Sequence, residues 1–526
     1  MLISKNHSLL FLLLIYTILG IYLSITTGIS HDEHHEQLNW QVNIAAIKNF
    51  LATGNYDNLL NYKDRYHGIG FHLISQPLQI FIYNYVSDLN QITDYGGFII
   101  SKHAVVFLLF SISGIFFYLL SFKFSQNFNF SICASAIYLS YPYFFGHAQI
   151  NPKDMPFLSI WIINSYIFLT IVESLFYQKK IKINKIVIFS FLTAFLISVR
   201  ITGIIIFIEY FIGLIILFNI KKITLPIFIK NYYTIFIAYT ILLLFFVYLL
   251  NPILWHSPLE IFNSIKWMGK YQQNVCTLTL GNCLKSLNLP PSYYFIWFFF
   301  KLPILVILGF LLFPFVEKKI FKEKVTFIYY GTFLFTVVAV LLIFILKNVA
   351  LYDEIRHIMF LLPMIFLVSL TNIFYFNKKL FYTSSIFLIL FFALENYSIN
   401  PYQYTWLNSF AKTVNIQKNF EIDYWGISNK NLQKKIIEYS ENNFINKNTC
   451  VYGDQYVKEF LLKKNFKCFK NYSDIDAVKQ RPFFAYKNVR NVKRSNPKDC
   501  ELIWNESYKY SFYKKDISVG TLWFCN

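Results

Sequence analysis

Residues 9–36 read LLFLLLIYTILGIYLSITTGI-SHDEHHE. The first part, Leu9 to Ile29, carries no charged side chain. A helix needs about 20 mainly apolar residues to cross a bilayer, and this run supplies them. It is too long for a signal-peptide core, and no small-residue cleavage site follows, so it reads as an uncleaved anchor. Lys5 precedes it, which sets the N-terminus on the cytoplasmic side. The polar stretch His31-Asp32-Glu33-His34-His35-Glu36 then emerges on the opposite face.

The rest of the chain follows the same pattern. Of 526 residues, 56% are hydrophobic, 20% aromatic and 14% charged. Soluble domains carry about 25% charged residues, so the deficit excludes an ordinary soluble enzyme. The net charge of +20 would suggest nucleic acid for a soluble chain. Here Lys sits in short clusters between apolar runs, as membrane topology demands. No basic groove with interleaved aromatics occurs, and no nucleic-acid partner is expected.

Further apolar runs lie at 98–121, 128–148, 157–177, 186–199, 201–219, 230–250, 292–315, 326–346, 356–375 and 380–395. With the first they make about eleven. Residues 30–97 between the first two form a long outer loop with helices lying along the surface. The connections expected inside carry Lys123; Lys179, Lys180, Lys182 and Lys185; Lys221, Lys222 and Lys230; Lys318, Lys319, Lys322 and Lys324; and Lys378 with Lys379. The weak link is the pair 186–199 and 201–219, where the first run is short and ends at Arg200. Merging them would invert everything downstream and turn the later Lys clusters to the wrong face. An odd count leaves the tail, 396–526, outside. The tail reads as a small mixed α/β domain, helical over Asn431–Tyr439, with β-like segments near Cys450-Val451-Tyr452 and Thr521–Phe524. The fold class is therefore a polytopic α-helical membrane protein, with 1–395 as the transmembrane domain and 396–526 as an extracytoplasmic domain. Cys276, Cys283, Cys450, Cys468, Cys500 and Cys525 all fall on the outer side, and Cys133 lies in a span. Disulfides are allowed there. Cys276 and Cys283 form a plausible local pair, the tail pairing is open, and no CxxC metal signature occurs.

Dense polar groups cluster at outer span ends: 31–36, His147–Asp154, Arg200, Asn251–His256 and Tyr352–His357. A carrier would hold ionisable groups near the bilayer midplane. The runs read as nearly free of charge apart from Glu173 and Glu209. This points to a site at the membrane–water interface, which a lipid-linked substrate could enter sideways. Asp32 and Glu33 are candidate general bases, against the plainer reading of a solvated juxtamembrane turn. His31, His34 and His35 have helical metal-ligand spacing, without a matching second ligand set. Asp154 stands at a helix N-terminus, with Lys153 before it and Pro156 in the first turn. The N-cap reading and the fixed-carboxylate reading are compatible, since a cap also holds a carboxylate in place. Arg356 can hold two phosphate oxygens at once, or simply anchor a span at the interface. Arg occurs only six times in the chain, and two of the six, Arg200 and Arg356, sit at outer span ends.

Four segments carry a likeness to a known family. They are Ser30-His31-Asp32-Glu33; Gly146-His147 with Asn151-Pro152-Lys153-Asp154-Met155-Pro156-Phe157; Tyr352-Asp353-Glu354-Ile355-Arg356-His357; and Asn400-Pro401-Tyr402-Gln403-Tyr404 with Asp423-Tyr424-Trp425-Gly426. With these the chain resembles the bacterial phospholipid-carrier-dependent glycosyltransferases of the C-type superfamily, related to protein O-mannosyltransferases and lipid A aminoarabinose transferases. The resemblance implies inverting transfer of a sugar from a polyprenyl-phosphate donor of the undecaprenyl type. The acceptor would be a lipid, glycan or protein outside the bacterial inner membrane. It assigns Asp32 as base with Glu33 beside it, and Asp154 as the acidic position of the second outer loop. Arg356 and His357, with Tyr352, fall to the lipid phosphate or the sugar. Lys153, Arg200 and Arg356 are candidates for stabilising the leaving phosphate. No cofactor is required, although a divalent metal held by Asp32 and a histidine could substitute. Glu354 departs from the pattern, since a small residue, often Gly, is expected there. The rival readings are a carrier or flippase for lipid-linked sugars, and a membrane anchor whose function resides in the tail. The second leaves the outer-loop segments unexplained. A C-terminal tag is expected on the extracytoplasmic side of the membrane; a cytoplasmic tag would overturn the topology.

Overall fold

The computed structural model describes residues 7–222, 224–270, 273–454, 457–477, 481–488 and 496–526; Lys5 lies outside them. All eleven apolar runs are helical. The chain enters through α1 (His7–Ile25), then places α2 (His31–Thr53) and α3 (Gly70–Asn90) in the 30–97 segment. Next come α4 (Asp94–Ser125), α5 (Phe128–Ser140), α6 (Pro142–Ile150), α7 (Asp154–Phe176), α8 (Ile183–Val199), α9 (Ile206–Lys221) and α10 (Leu225–Leu250). After a short hairpin of β1 (Cys276–Thr279) and β2 (Asn282–Lys285), the bundle resumes with α11 (Ser292–Lys301), α12 (Ile304–Leu311), α13 (Lys324–Leu346), α14 (Leu362–Phe376) and α15 (Lys378–Ser398).

Among the described residues, eight helices are long and apolar enough to cross a membrane, or up to nine if a bent pair counts as one span. The expected eleven crossings are therefore not all reached by length. The reasons are local. The 128–148 run breaks before Pro142, leaving helices of 13 and 9 residues. Proline lacks the N–H that would continue α5, and it suits the first turn of α6. The 292–315 run bends by 117° between α11 and α12, where Pro303 follows Leu302. The pair flanking Arg200 forms separate helices. Arg200 has extended backbone, and the chain turns back so tightly that a Cβ on Gly203 would stand 2.8 Å from the Ile197 nitrogen. The apolar runs also hold more charge than Glu173 and Glu209, since Lys102 and Lys301 lie within them and both are buried.

Burial sorts the spans. Only 17% of the most apolar stretch of Lys230–Leu250 and 22% of that of His7–Ile25 is buried, so these present Phe236, Leu244, Phe11 and Leu12 outward. In Asp154–Phe176 and Arg356–Phe376 the corresponding shares are 83% and 94%. The two innermost helical segments thus begin at Asp154 and Arg356. Polar ties hold the interior together. Glu209 accepts from Trp161 Nε1 at 2.7 Å and Ser165 Oγ at 3.0 Å, as buried polar groups require.

The tail holds α16 (Asn429–Asn442), which contains the expected 431–439 helix, and a five-stranded sheet. Its strands are β3 (Cys450–Gly453), β4 (Phe469–Asn471), β5 (Phe483–Asn488), β6 (Glu501–Tyr508) and β7 (Ile517–Cys525), in the order β4-β3-β5-β7-β6. β3 runs parallel to both β4 and β5; β7 runs antiparallel to β5 and β6. The tail and the 30–97 segment share one end of the bundle. The His31 N–H donates to Trp425 O at 3.1 Å, and Lys430 Nζ donates to Thr26 O and to Asn90 Oδ1.

Three disulfides form. Cys276–Cys283 closes the β1–β2 hairpin, and Cys450–Cys468 and Cys500–Cys525 staple the sheet. The last two span sequence separations of 18 and 25 residues, for which chain-entropy arguments give about 3 kcal/mol each. Replacing Cys450 and Cys468 together by Ser is expected to lower the melting temperature of the tail and expose it to limited proteolysis. Replacing Cys276 and Cys283 is expected to leave tail proteolysis unchanged.

Candidate active site

A cavity of about 1100 Å³ lies between the bundle and the tail. It is built first by α2. Ser30 precedes this helix, and its N–H donates to Glu33 Oε2 at 2.6 Å, one half of a capping box. Helical spacing then divides the polar cluster. His31, Asp32, His34, His35 and Glu36 line the cavity. Glu33, Gln37 and Trp40, at i, i+4 and i+7, are buried on the other face. There Glu33 Oε1 meets His103 Nε2 at 2.6 Å, Gln37 accepts from Lys102 Nζ at 3.2 Å, and Trp40 stacks on His72. Glu33 is thus turned away from the cavity and fixes the start of the helix. The structure does not bring it beside Asp32 as a second base.

Arg356 organises the centre. Its Nη1 lies 3.0 Å from Asp32 Oδ2 and 3.4 Å from Asp154 Oδ2, and its Nη2 lies 3.2 Å from Asp353 Oδ2. The guanidinium lies over the rings of Tyr352 and Trp425 at 5.1 and 5.4 Å. Arg200 Nη2 takes the other Asp154 oxygen at 2.6 Å. Asp154 is buried, and the Asp32 side chain is 48% exposed. Asp32 is therefore the carboxylate that a ligand can reach, while Asp154 spaces the two guanidinium groups. Capping of α7 falls to Asn151, whose Oδ1 accepts from Asp154 N at 2.8 Å and Lys153 N at 3.1 Å. Asp154 itself is not the cap. Lys153 Nζ lies 2.6 Å from Glu36 Oε1 and 3.1 Å from His67 Nδ1. Burial, and next the charge of Lys153, hold the His67 imidazole well below its ordinary range, so it accepts as the neutral ring.

The turn before Arg356 is strained. Asp353 and Glu354 have φ of 54° and 67°, the left-handed region, which costs a side-chain-bearing residue about 1–2 kcal/mol. Here lies the reason a small residue is expected at 354. Glu354 instead sends its carboxylate inward, where Oε2 lies 2.6 Å from Lys301 Nζ with both side chains fully buried. Lys301 Nζ also sits 4.4 Å from the centre of the Tyr143 ring. Two hydrogen bonds hold the backbone, from Tyr293 Oη to Glu354 O at 2.9 Å and from Asp353 N to Thr277 Oγ1 at 3.0 Å. The turn is over-determined, and it aims Arg356 at Asp32.

The histidines diverge. His31 bonds Asp454 of the tail, His35 Nε2 lies 3.1 Å from Asp64 Oδ2, and the His34 ring lies 5.6 Å from that of Tyr95. They do not form the metal cluster their spacing allowed, and among the described residues no group of three or more His, Cys, Asp or Glu could hold a metal ion. Tyr352 and His357 both line the cavity, their rings 4.6 Å apart. Asn251–Pro252 packs away from it, with Pro252 O accepting from Tyr56 Oη at 2.6 Å. The sequence reading missed Asp64 and His67, although both lie in the polar run Lys63-Asp64-Arg65-Tyr66-His67. It also missed Asp353 and the tail residues Asp454, Asn471, Tyr472, Ser473 and Asn488, of which the tail group left no local signal.

Fold and site together define a polytopic membrane protein with a cavity of paired carboxylates and guanidinium groups at one end of its bundle. No family model and no curated relative matches the chain. Among solved structures the chain is similar to ArnT from Cupriavidus metallidurans in the apo state, with a TM-score of 0.45, 10% identity and 98% of each chain covered. A likeness of that size assigns neither residue nor activity. Lys301→Met is expected to destabilise the protein by about 3–5 kcal/mol, because it leaves the Glu354 carboxylate buried and alone. Lys301→Met with Glu354→Gly should recover most of that loss in a thermal melt, since Gly also relieves the left-handed turn.

Proposed function

We propose that the protein is a membrane glycosyltransferase of the C-type, multi-pass in the bacterial inner membrane. It moves a sugar from a polyprenyl-phosphate donor to an acceptor on the extracytoplasmic face, with inversion. One observation carries this reading: the reachable carboxylate, Asp32, shares Arg356 with the buried Asp154–Arg200 pair. A base and a phosphate clamp then stand on one wall. The four resembling segments support it, since residues from each converge on this cavity or its floor. Trp425 lines it, and Tyr404 Oη donates to Asp423, which in turn accepts from the Ile427 and Ser428 N–H groups at 2.8 and 3.2 Å. In this reading residues 1–395 carry the chemistry and 396–526 supply part of the cavity wall.

The chemistry follows from the pairing. A donor phosphate is an anion that competes with Asp32 for Arg356 Nη1. Once displaced, Asp32 loses its cation and becomes a stronger base. It removes a proton from the acceptor as the acceptor oxygen or nitrogen attacks the anomeric carbon. The bond from that carbon to the phosphate oxygen breaks, and its electron pair stays on the phosphate. Arg356, with Arg200 and Lys153 nearby, stabilises the charge that accumulates there, and Tyr352 and His357 border the same space. No metal is needed for this balance. As a carrier, the protein would need a polar path through the bundle, yet Glu209 is enclosed by Trp161 and Ser165 and Lys102 bonds Gln37. Purified full-length protein given polyprenyl-phosphate sugars is expected to transfer, and Asp32→Asn to lower the rate about 10²–10⁴-fold while keeping donor binding. Full transfer by Asp32→Asn with a verified donor would remove Asp32 from its role.

A further inference from the structure

The connection between β6 and β7 reads Lys509-Tyr510-Ser511-Phe512-Tyr513-Lys514-Lys515-Asp516. It folds down on the last turns of α15, the span that ends at Ser398. Glu395 is the cause. It lies buried within that span, where a carboxylate without donors is costly. Its Oε1 takes Lys412 Nζ at 3.0 Å and the Ser511 N–H at 3.2 Å, and its Oε2 takes Trp406 Nε1 at 3.2 Å. The hydroxyls of Ser511 and Ser398 share a hydrogen bond of 2.9 Å. The tip of a soluble hairpin is thereby fixed to the end of a membrane span.

Phe512 comes next in the chain. Its ring stacks on that of Phe391, with centroids 6.1 Å and planes 15° apart. Phe391 lies seven residues before Ser398, about 10 Å along the helix from its end. Beside it run Phe387, Leu390 and Leu394, the exposed apolar stripe of α15. Only 22% of the most apolar stretch of this span is buried, so the stripe is a face that acyl chains cover. Phe512 extends that face and is itself 71% exposed. The residues around it suit the zone where acyl chains give way to headgroups. Tyr513 is half-buried and its Oη donates to Val414 O at 3.4 Å. Lys509, Lys514 and Lys515 are exposed on either side of the ring. An aromatic ring in the apolar zone, flanked by Lys side chains that reach back to phosphates, is how a segment anchors at a membrane surface.

We infer that the β6–β7 tip is a membrane-inserted anchor: Phe512 enters the acyl region of the adjacent leaflet, and Lys509, Lys514 and Lys515 meet its phospholipid headgroups. The tail is then held to the bilayer at a fixed height by its own sheet, and not only through the chain that follows α15. This does not depend on the transfer reading. Spin labelling of the full chain in vesicles of phosphatidylethanolamine and phosphatidylglycerol tests it, in a Cys133→Ser background that leaves the disulfides intact. A nitroxide on Phe512→Cys is compared with one on Leu394→Cys, on the span, and one on Leu502→Cys. Leu502 is an exposed residue of β6, six positions before Tyr508 and so about 20 Å from the tip. Collision with oxygen, relative to a water-soluble nickel chelate, is expected to be severalfold higher at 512 than at 502 and close to that at 394. A label on Lys514→Cys, a position with an exposed side chain, is expected to fall between 502 and 512. The anchor is overturned if the chelate reaches the label at 512 as freely as that at 502, or, should Phe512→Cys fail to fold, if it reaches the label at 514 so freely. It is overturned equally if the label at 512 is shielded from both reagents and shows spin–spin broadening that unlabelled protein dilutes away, since a second copy of the chain would then cover the tip.

Discussion

The ion pairs of Arg356 are the constraint on which the rest depends. One buried guanidinium faces Asp32 from α2, Asp154 from the start of α7 and Asp353 from its own turn. Removing charges from water is costly unless they are well paired, so these carboxylates must converge. Their convergence fixes the first residues of the two most buried spans against the segment that follows α1. The strained turn at Asp353 and Glu354, the buried Lys301 and the stack on Trp425 all serve to keep that guanidinium in place. The same pairing makes the site adjustable. Asp154 is held by two guanidinium groups and Asn151 and is buried, whereas Asp32 is half exposed. Of the carboxylates around Arg356, Asp32 is the one that an incoming anion can reach.

Much of this was legible in the sequence because hydrophobicity and charge act locally. Each apolar run became helical, some of them broken, and Asp32, Asp154, Arg200 and Arg356 meet. Arg scarcity was the useful signal, since a chain that otherwise chooses Lys spends Arg where planar, multidentate pairing matters. Glu33 was misread because a cluster of acidic residues does not disclose its helical phase, and a shift of one residue turned it toward His103. The histidine cluster failed for the same reason. Helix length falls short of the expected spans where Pro142 and Pro303 interrupt apolar runs. The tail wall was invisible, because strand order decides it and no short motif records strand order. Glu354 was legible only as a departure, and its reason required the backbone angle and Lys301 together.

The spans also divide by what surrounds them. Helices such as α1 and α10 meet their surroundings with side chains that need only be apolar. α7 and the Arg356–Phe376 segment are packed on nearly every side, with Trp161 stacked on Phe360 at 4.2 Å. Interiors at native packing density tolerate little change of volume. Positional demand is therefore concentrated in two helices and the loops that precede them.

The contacts that close the cavity join residues far apart along the chain: Asp32 to Arg356 across 324 positions and His31 to Asp454 across 423. A site assembled this way is a late event in the life of the polypeptide. The first helix and its polar cluster are synthesised and inserted well before their partners exist. Until the tail strands have folded, the contact of His31 with Asp454 cannot form and the cavity lacks that wall. The cavity is thus completed only after residues 453–488 have been made, and a chain arrested earlier is a helical bundle with an unfinished wall.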